Sequence, residues 1–277
     1  RQGILPADFT QKKADRSYFE ISSIHIPASI EKILGAAIRS GIPARDIQVL
    51  APMYRGTAGI DAINQLMQDL LNPPQKDQLS FEAPQCHYRT GDKVIHLVND
   101  AEVNVFNGDL GYITDLIPGK YTESKQDEIV IDFDGNEVSY PRNEWYKIRL
   151  AYAMSIHKSQ GSEFPVVILP ITSASKRMLE RNLIYTAITR AKSKLILLGE
   201  IQAFDYATQH IGTARKTYLI ERFADLMENA EETNQLATDT AISTDTEQSY
   251  ILTEDNWSSI PAMIGISQED LQEFFGK

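Results

Sequence analysis

Apolar and polar positions follow two rhythms along this chain, and the change between them divides it. Residues 18–26 (YFEISSIHI) alternate in part and predict a strand. Residues 29–40 carry apolar side chains at helical spacing, stopped by Gly41-Ile42-Pro43. The run 47–51 (IQVLA) is short and continuously apolar, as suits a parallel strand buried on both faces. A loop at 52–57 precedes a helix expected over 58–71 and closed by Asn72-Pro73-Pro74. After Pro84 the rhythm shortens. Residues 92–98, 111–117, 128–133 and 137–140 predict strands separated by Asn107-Gly108, Pro118-Gly119 and Asp134-Gly135, the last a strong hairpin signal. From 148 the mixed pattern returns, with a strand at 166–171, a helix at 179–191, a strand at 194–199 and helices at 203–209 and 213–227.

This order implies an α/β fold with a small all-β barrel inserted into it. The expected parts are an α/β domain over 1–87, the barrel over 88–147, the second part of the α/β domain over 148–228, and an acidic linker with a C-terminal arm over 229–277. Residues 229–248 are rich in Thr, Glu, Asp, Asn and Gln, a composition that does not sustain a packed core.

Charge changes the picture less than its total suggests. The chain has 277 residues and a formal net charge of −11, which argues at first against nucleic acid. Residues 221–277 hold 13 acidic and 2 basic side chains, so residues 1–220 balance at 25 of each. A neutral body leaves room for a local cationic groove. Cys86 is the sole cysteine, which excludes an internal disulfide and fits a reducing, cytoplasmic setting. No apolar run reaches the roughly 18 residues of a membrane span. The chain begins at Arg1 rather than Met, and is expected to be a fragment of a longer one. The histidines show no ligand spacing, so no metal site is assigned. The acidic residues Asp127, Glu128, Asp132 and Asp134 read as the solvated face of a hairpin, and Tyr54 and Tyr185 as packing residues.

Two segments carry chemistry. In 150–170 (LAYAMSIHKSQGSEFPVVILP) a polar loop with Ser155, His157, Lys158, Ser159, Gln160, Gly161 and Glu163 runs into a buried strand. Gly161 permits close backbone approach to a phosphate, and Glu163 offers a carboxylate to ribose hydroxyls. In 183–198 (LIYTAITRAKSKLILL) a helix carries Thr189 and Arg190 near its C-terminal end, where a guanidinium suits bidentate phosphate contact.

Together these segments resemble motifs V and VI of superfamily 1 helicases, in the RecD-like branch. HKSQGSEF at 157–164 is similar to motif V and YTAITRAK at 185–192 to motif VI. Pif1-like motors usually have Leu-Ser-Arg where this chain has Ile-Thr-Arg. The stretch 49–56 (VLAPMYRG) resembles the motif IV region, and 91–111 the SH3-like insertion, so the likeness covers about 45–220. The resemblance implies a RecA-like motor domain, P-loop NTPase in type, with an SH3-like insertion. It makes Arg190 an arginine finger, puts Gln160 and Gly161 near the γ-phosphate and Glu163 near the ribose, and counts Thr189 among the nucleotide-binding residues. Ser155, His157 and Lys158 would face DNA, and Arg55, Gly56 and Thr57, with the free N–H groups of the following helix, would take a backbone phosphate. Arg55 fits a surface role equally well, and Thr57 an N-cap.

The phosphate loop G-x-x-x-x-G-K-[ST] and an apolar strand ending in Asp-Glu do not occur in the sequence. ATP with Mg²⁺ is therefore expected between this domain and a preceding motor domain that brings the magnesium ligands. This chain alone is expected to be inactive. The implied partners are single-stranded DNA, duplex junctions and repair or recombination proteins, with 5′-to-3′ movement. The rival readings are a non-catalytic nucleic-acid-binding module with a helicase-like fold, a nuclease, for which no Asp/Glu/Lys motif is seen, and an RNA-directed motor.

Overall fold

The computed structural model describes residues 3–76, 78–84 and 86–212, all within one unit that spans Arg1–Ala214. The expected helix at 213–227 and the linker and arm at 229–277 lie outside the described residues.

The body is a five-stranded parallel sheet. Its strands are β1 (Arg16–Glu20), β2 (Ile47–Ala51), β10 (Ala153–Ser155), β11 (Phe164–Ile171) and β12 (Ala191–Gly199), in the order β1-β12-β11-β2-β10. The continuous apolar runs follow from burial on both faces. Ile47, Val49 and Ala51 of β2 and Val166 and Ile168 of β11 enter one core, with Ile30 and Leu34 of α1 (Ile26–Arg39) and Ile63 and Met67 of α2 (Ile60–Leu71). Their neighbours Leu50, Val167 and Leu169 point into the other. There they meet Leu183, Ile184 and Ala187 of α3 (Arg181–Ile188) and Phe204 of α4 (Ile201–Gln209). Successive residues of a strand face opposite sides, so one run feeds two layers of helices.

Between α2 and β10 the chain makes a two-stranded hairpin, β3 (Ser80–Ala83) with β4 (Cys86–Arg89), and then a five-stranded antiparallel sheet. The latter holds β5 (Lys93–His96), β6 (Leu110–Ile117), β7 (Glu128–Phe133), β8 (Asn136–Pro141) and β9 (Ile148–Leu150), in the order β8-β7-β6-β5-β9. β4 crosses the expected start of the insertion at 88, and β9 extends the insertion's sheet three residues past 147. The β7–β8 turn is the two-residue hairpin expected at Asp134-Gly135, both at positive φ (54° and 91°).

The ends of four elements differ from expectation. The first strand stops at Glu20, and α1 starts at Ile26 behind a short 3-10 turn, because Pro27 sits in its first turn. The helix expected from 58 begins at Ile60, after Gly59. The helix expected over 179–191 is only Arg181–Ile188, so Thr189 and Arg190 lie just beyond its end rather than on its face. β3, β4, β9 and β10 have three or four residues each, too few to show a period.

The insertion is tied to the body by a buried carboxylate. Asp92, fully buried, accepts hydrogen bonds from Gln68 Nε2 (2.6 Å) and Asn72 Nδ2 (2.8 Å) on and just after α2, from the Arg89 N–H (2.8 Å), and from Tyr152 Oη (3.0 Å). Burial raises its pKa above the usual carboxylate value, against the opposing effect of these donors.

Candidate functional site

Arg190 and the Gly161 loop meet at one edge of the parallel sheet. Phe164 of β11 pairs with Ala191 of β12, so the residues just before each strand are neighbours. Pro165 lies where the β11–β12 register shifts, a bulge that tolerates a residue without an N–H. The backbone N–H of Phe164 donates to Arg190 O (2.8 Å), fixing the two segments together.

The Arg190 guanidinium is held entirely by neutral acceptors. Nε donates to Thr186 O (3.1 Å), Nη1 to Ser162 O (3.0 Å) and Nη2 to Thr189 Oγ1 (3.0 Å). Thr189 Oγ1 in turn donates to Tyr185 O and Thr186 O, closing the end of α3 (both 3.0 Å). Among the described residues no carboxylate lies within ion-pair distance of Arg190. A guanidinium has five N–H donors, so this one keeps donors and a full charge for an anion.

The loop beside it is a type II turn. Ser162 N–H donates to Ser159 O (3.1 Å), Gln160 has φ −62° and ψ 131°, and Gly161 has φ +89°. That geometry needs a residue at ease with positive φ in the third position. Ser159 Oγ is buried and donates to Ile156 O (2.7 Å), anchoring the turn from below. Gln160, Gly161 and Glu163 are exposed, and no atom lies within 4 Å of where a Gly161 Cβ would sit. Glu163 pairs at the surface with Lys192 (3.6 Å).

The same loop forms one wall of a groove of about 510 Å³. His157, Lys158, Gln160, Gly161 and Ser162 face Asn107, Gly108 and Asp109 of the insertion across it. Lys158 Nζ donates to Asn107 Oδ1 (3.0 Å). Partial burial and then the nearby Arg149 charge lower the Lys158 pKa. Ser155, expected to face DNA, is instead buried at the end of β10, and its hydroxyl accepts from the Lys158 N–H (3.3 Å). It shapes the turn rather than presenting a group.

Ala51 pairs with Ser155, so the loops that follow β2 and β10 leave the sheet at the same end. Arg55, Gly56 and Thr57 are exposed there. The helix start is not the phosphate cradle expected, because its leading N–H groups are already used. Ile60 N–H donates to Met53 O (3.0 Å) and Asp61 N–H to Tyr54 O (3.1 Å). Thr57 does not cap the helix either; the cap position is Gly59, and Thr57 Oγ1 donates to Ser23 O (3.3 Å). Tyr54 and Tyr185, read as packing residues, are 38% and 45% exposed, and the Arg149 guanidinium lies over the Tyr54 ring (5.4 Å). Asn107 and Arg149 escaped the sequence reading. Asn107 was visible only as a turn residue, and Arg149 carries no motif.

Two family models match the chain: the UvrD-like helicase C-terminal domain over residues 150–198 and the ATP-dependent RecD-like DNA helicase SH3 domain over residues 63–133. The ATP-dependent RecD2 DNA helicase of Deinococcus radiodurans is 35% identical over 176 residues, 64% of this chain and 23% of that protein. The RecBCD enzyme subunit RecD of Mycolicibacterium smegmatis is 29% identical, over 55% of this chain and 25% of that one. The chain thus spans about a quarter of the length of these curated relatives. Among solved structures, a Bacteroides Pif1 helicase in complex with ADP-AlF3 and single-stranded DNA is 20% identical, covering 65% of this chain and 45% of that chain, with a TM-score of 0.39. The Candida albicans Pif1 helicase is 20% identical, covering 75% and 60%, with a TM-score of 0.39. Residues 63–133 and 150–198 of this chain are thus similar to domains of RecD-like and UvrD-like DNA helicases.

Proposed function

We propose that this chain is one of two motor domains of an ATP-driven helicase that steps along single-stranded DNA. The observation that carries the reading is the Arg190 guanidinium, free of any carboxylate among the described residues and bonded to the Gly161 turn. Such a charge, held on a rigid helix end, suits the anionic oxygens of a triphosphate. ATP bound there, with Mg²⁺ held by a second domain, would supply the free energy of phosphoanhydride cleavage. The residues present fit one wall of that site. Arg190 would stabilise charge developing on the terminal phosphoryl group, the open Gly161 turn would let backbone approach, Gln160 would line the terminal phosphate and Glu163 the ribose side. Thr189 would orient the guanidinium. Arg55, Gly56, Thr57, His157 and Lys158 would contact the strand, and closure of the two domains would alternate the grip. Movement 5′-to-3′ is inferred from the family resemblance alone.

Without a phosphate loop the chain would show no ATP turnover by itself. The test uses a protein that joins it to a phosphate-loop domain. There Arg190→Ala should cut DNA-stimulated turnover by about 10³-fold or more while leaving nucleotide affinity nearly unchanged. Turnover by the isolated chain, or near-normal turnover by Arg190→Ala, would sink the proposal.

A further inference from the structure

The insertion does more than decorate the motor domain, because one of its turns reaches the polar loop of the body. Residues 106–109 form a turn that is fixed from several sides. Phe106 N–H donates to Asp109 Oδ2 (2.7 Å), Asn107 N–H to Asn99 Oδ1 (3.0 Å), Gly108 N–H to His96 O (2.9 Å) and Asp109 N–H to Phe106 O (3.0 Å). His96, whose carbonyl anchors the turn, is itself fully buried between Phe133 and Tyr140. The turn's backbone therefore has little freedom, while the Asn107 side chain is exposed and receives the Lys158 ammonium (Nζ to Oδ1, 3.0 Å).

We propose that Asn107 is a positioning residue that holds the Lys158 ammonium over the groove, where it meets a phosphodiester of single-stranded DNA. Lys158 is a flexible side chain on a loop. An ammonium loses several rotamers when it is pinned, and that cost falls if a rigid neutral acceptor fixes it before the ligand arrives. A neutral acceptor is required, since a carboxylate would cancel the charge that the phosphate must see. The positive charge of Arg149 repels that of Lys158, and a phosphate bound at the Lys158 ammonium offsets this repulsion. The groove of about 510 Å³ between the turn and the loop accommodates a backbone phosphate and its sugar. This inference rests on the nucleic-acid reading above and adds to it a contact made through the insertion.

The test measures binding of a dye-labelled 20-nucleotide oligothymidylate to the 277-residue chain by fluorescence anisotropy, across a salt series. Each phosphate contact on a single strand contributes about −0.7 to the slope of log K against log salt. Lys158→Ala should weaken binding and flatten the slope by about 0.7. Asn107→Asp, nearly equal in size, should flatten it by a similar amount, since its carboxylate neutralises the ammonium. Asn107→Ala should weaken binding several-fold in the wild-type background and have no effect in Lys158→Ala. Additive losses in the double variant, or full affinity in either single alanine variant, would overturn the positioning role while leaving DNA binding intact. Failure of the unaltered chain to bind the oligonucleotide would overturn both this role and the nucleic-acid reading.

Discussion

Asp92→Ala tests whether the insertion and the body form one cooperative structure. The carboxylate accepts four hydrogen bonds, and three of the donors are on residues less than a tenth exposed: Gln68, Arg89 through its backbone, and Tyr152. Alanine leaves the Arg89 N–H and the Tyr152 hydroxyl without a partner inside the protein, and leaves Gln68 Nε2 bonded only to His87 O (2.6 Å). Each stranded donor costs about 1–3 kcal/mol. The wild-type carboxylate, however, is buried with no ion pair among the described residues, and burial already raises its pKa. Its removal relieves that desolvation, so a net loss of about 3–5 kcal/mol is expected. Asp92→Asn preserves the bulk and one acceptor oxygen, and should lose about 1–3 kcal/mol. The assay is urea unfolding read by Trp145, which is buried in the insertion, in a Trp257→Phe background, with far-UV circular dichroism recorded in parallel. With a urea m-value of about 2–3 kcal/mol/M the alanine midpoint moves down by about 1–2 M. A loss below about 1 kcal/mol, the size of an ordinary surface substitution effect, would refute the argument. So would a shift seen by Trp145 alone with the circular dichroism transition unmoved.

Three further predictions follow from single positions. His96 is fully buried, and burial lowers its pKa against a backbone contact with Val98 and the nearby Asp100 and Asp109, with Lys147 acting in the same direction as burial. A depressed folded pKa means stability present above the unfolded value of about 6.5 and lost as pH falls through that range, by at most about 1.4 kcal/mol per pH unit for one proton. Urea midpoints from pH 7.5 to 5 should therefore fall faster for the wild type than for His96→Leu, and parallel curves would count against it. Gly199 has φ +128°, and an added Cβ would sit 1.8 Å from the main-chain oxygen of Ile171, so Gly199→Ala should lose about 2–4 kcal/mol through strain and overlap, read as a lowered melting temperature. Gly161→Ala meets no atom and costs only the strain of its positive φ, about 1 kcal/mol, so a much larger drop in thermal stability would refute the open placement of the turn.

Much of the fold was legible because burial leaves a period. β2 and β7 occupy the predicted residues, and β11, α1 and α4 differ from prediction only at their ends. The Asp134-Gly135 turn was legible because few residue pairs accept positive φ twice in succession. The site was legible in part. Arg190, Gln160, Gly161 and Glu163 stand in two short segments whose residue types already point to phosphate chemistry, and the sheet register brings them together. The same inspection misplaced Ser155 and the start of α2, since a hydroxyl or N–H that reads as available in sequence can be taken by a carbonyl from elsewhere.

The sequence by itself determined which of the longer segments are strands or helices and which polar loop and arginine carry residues suited to phosphate, because those properties are local or repeat along the chain. Tertiary structure alone decided that Asn107 meets Lys158 across 51 positions and that Asp92 collects donors from α2 and from Tyr152. Contacts of that kind leave no period and no motif. A hydrogen bond depends on where two backbones pass, and that is fixed only when the whole core has packed.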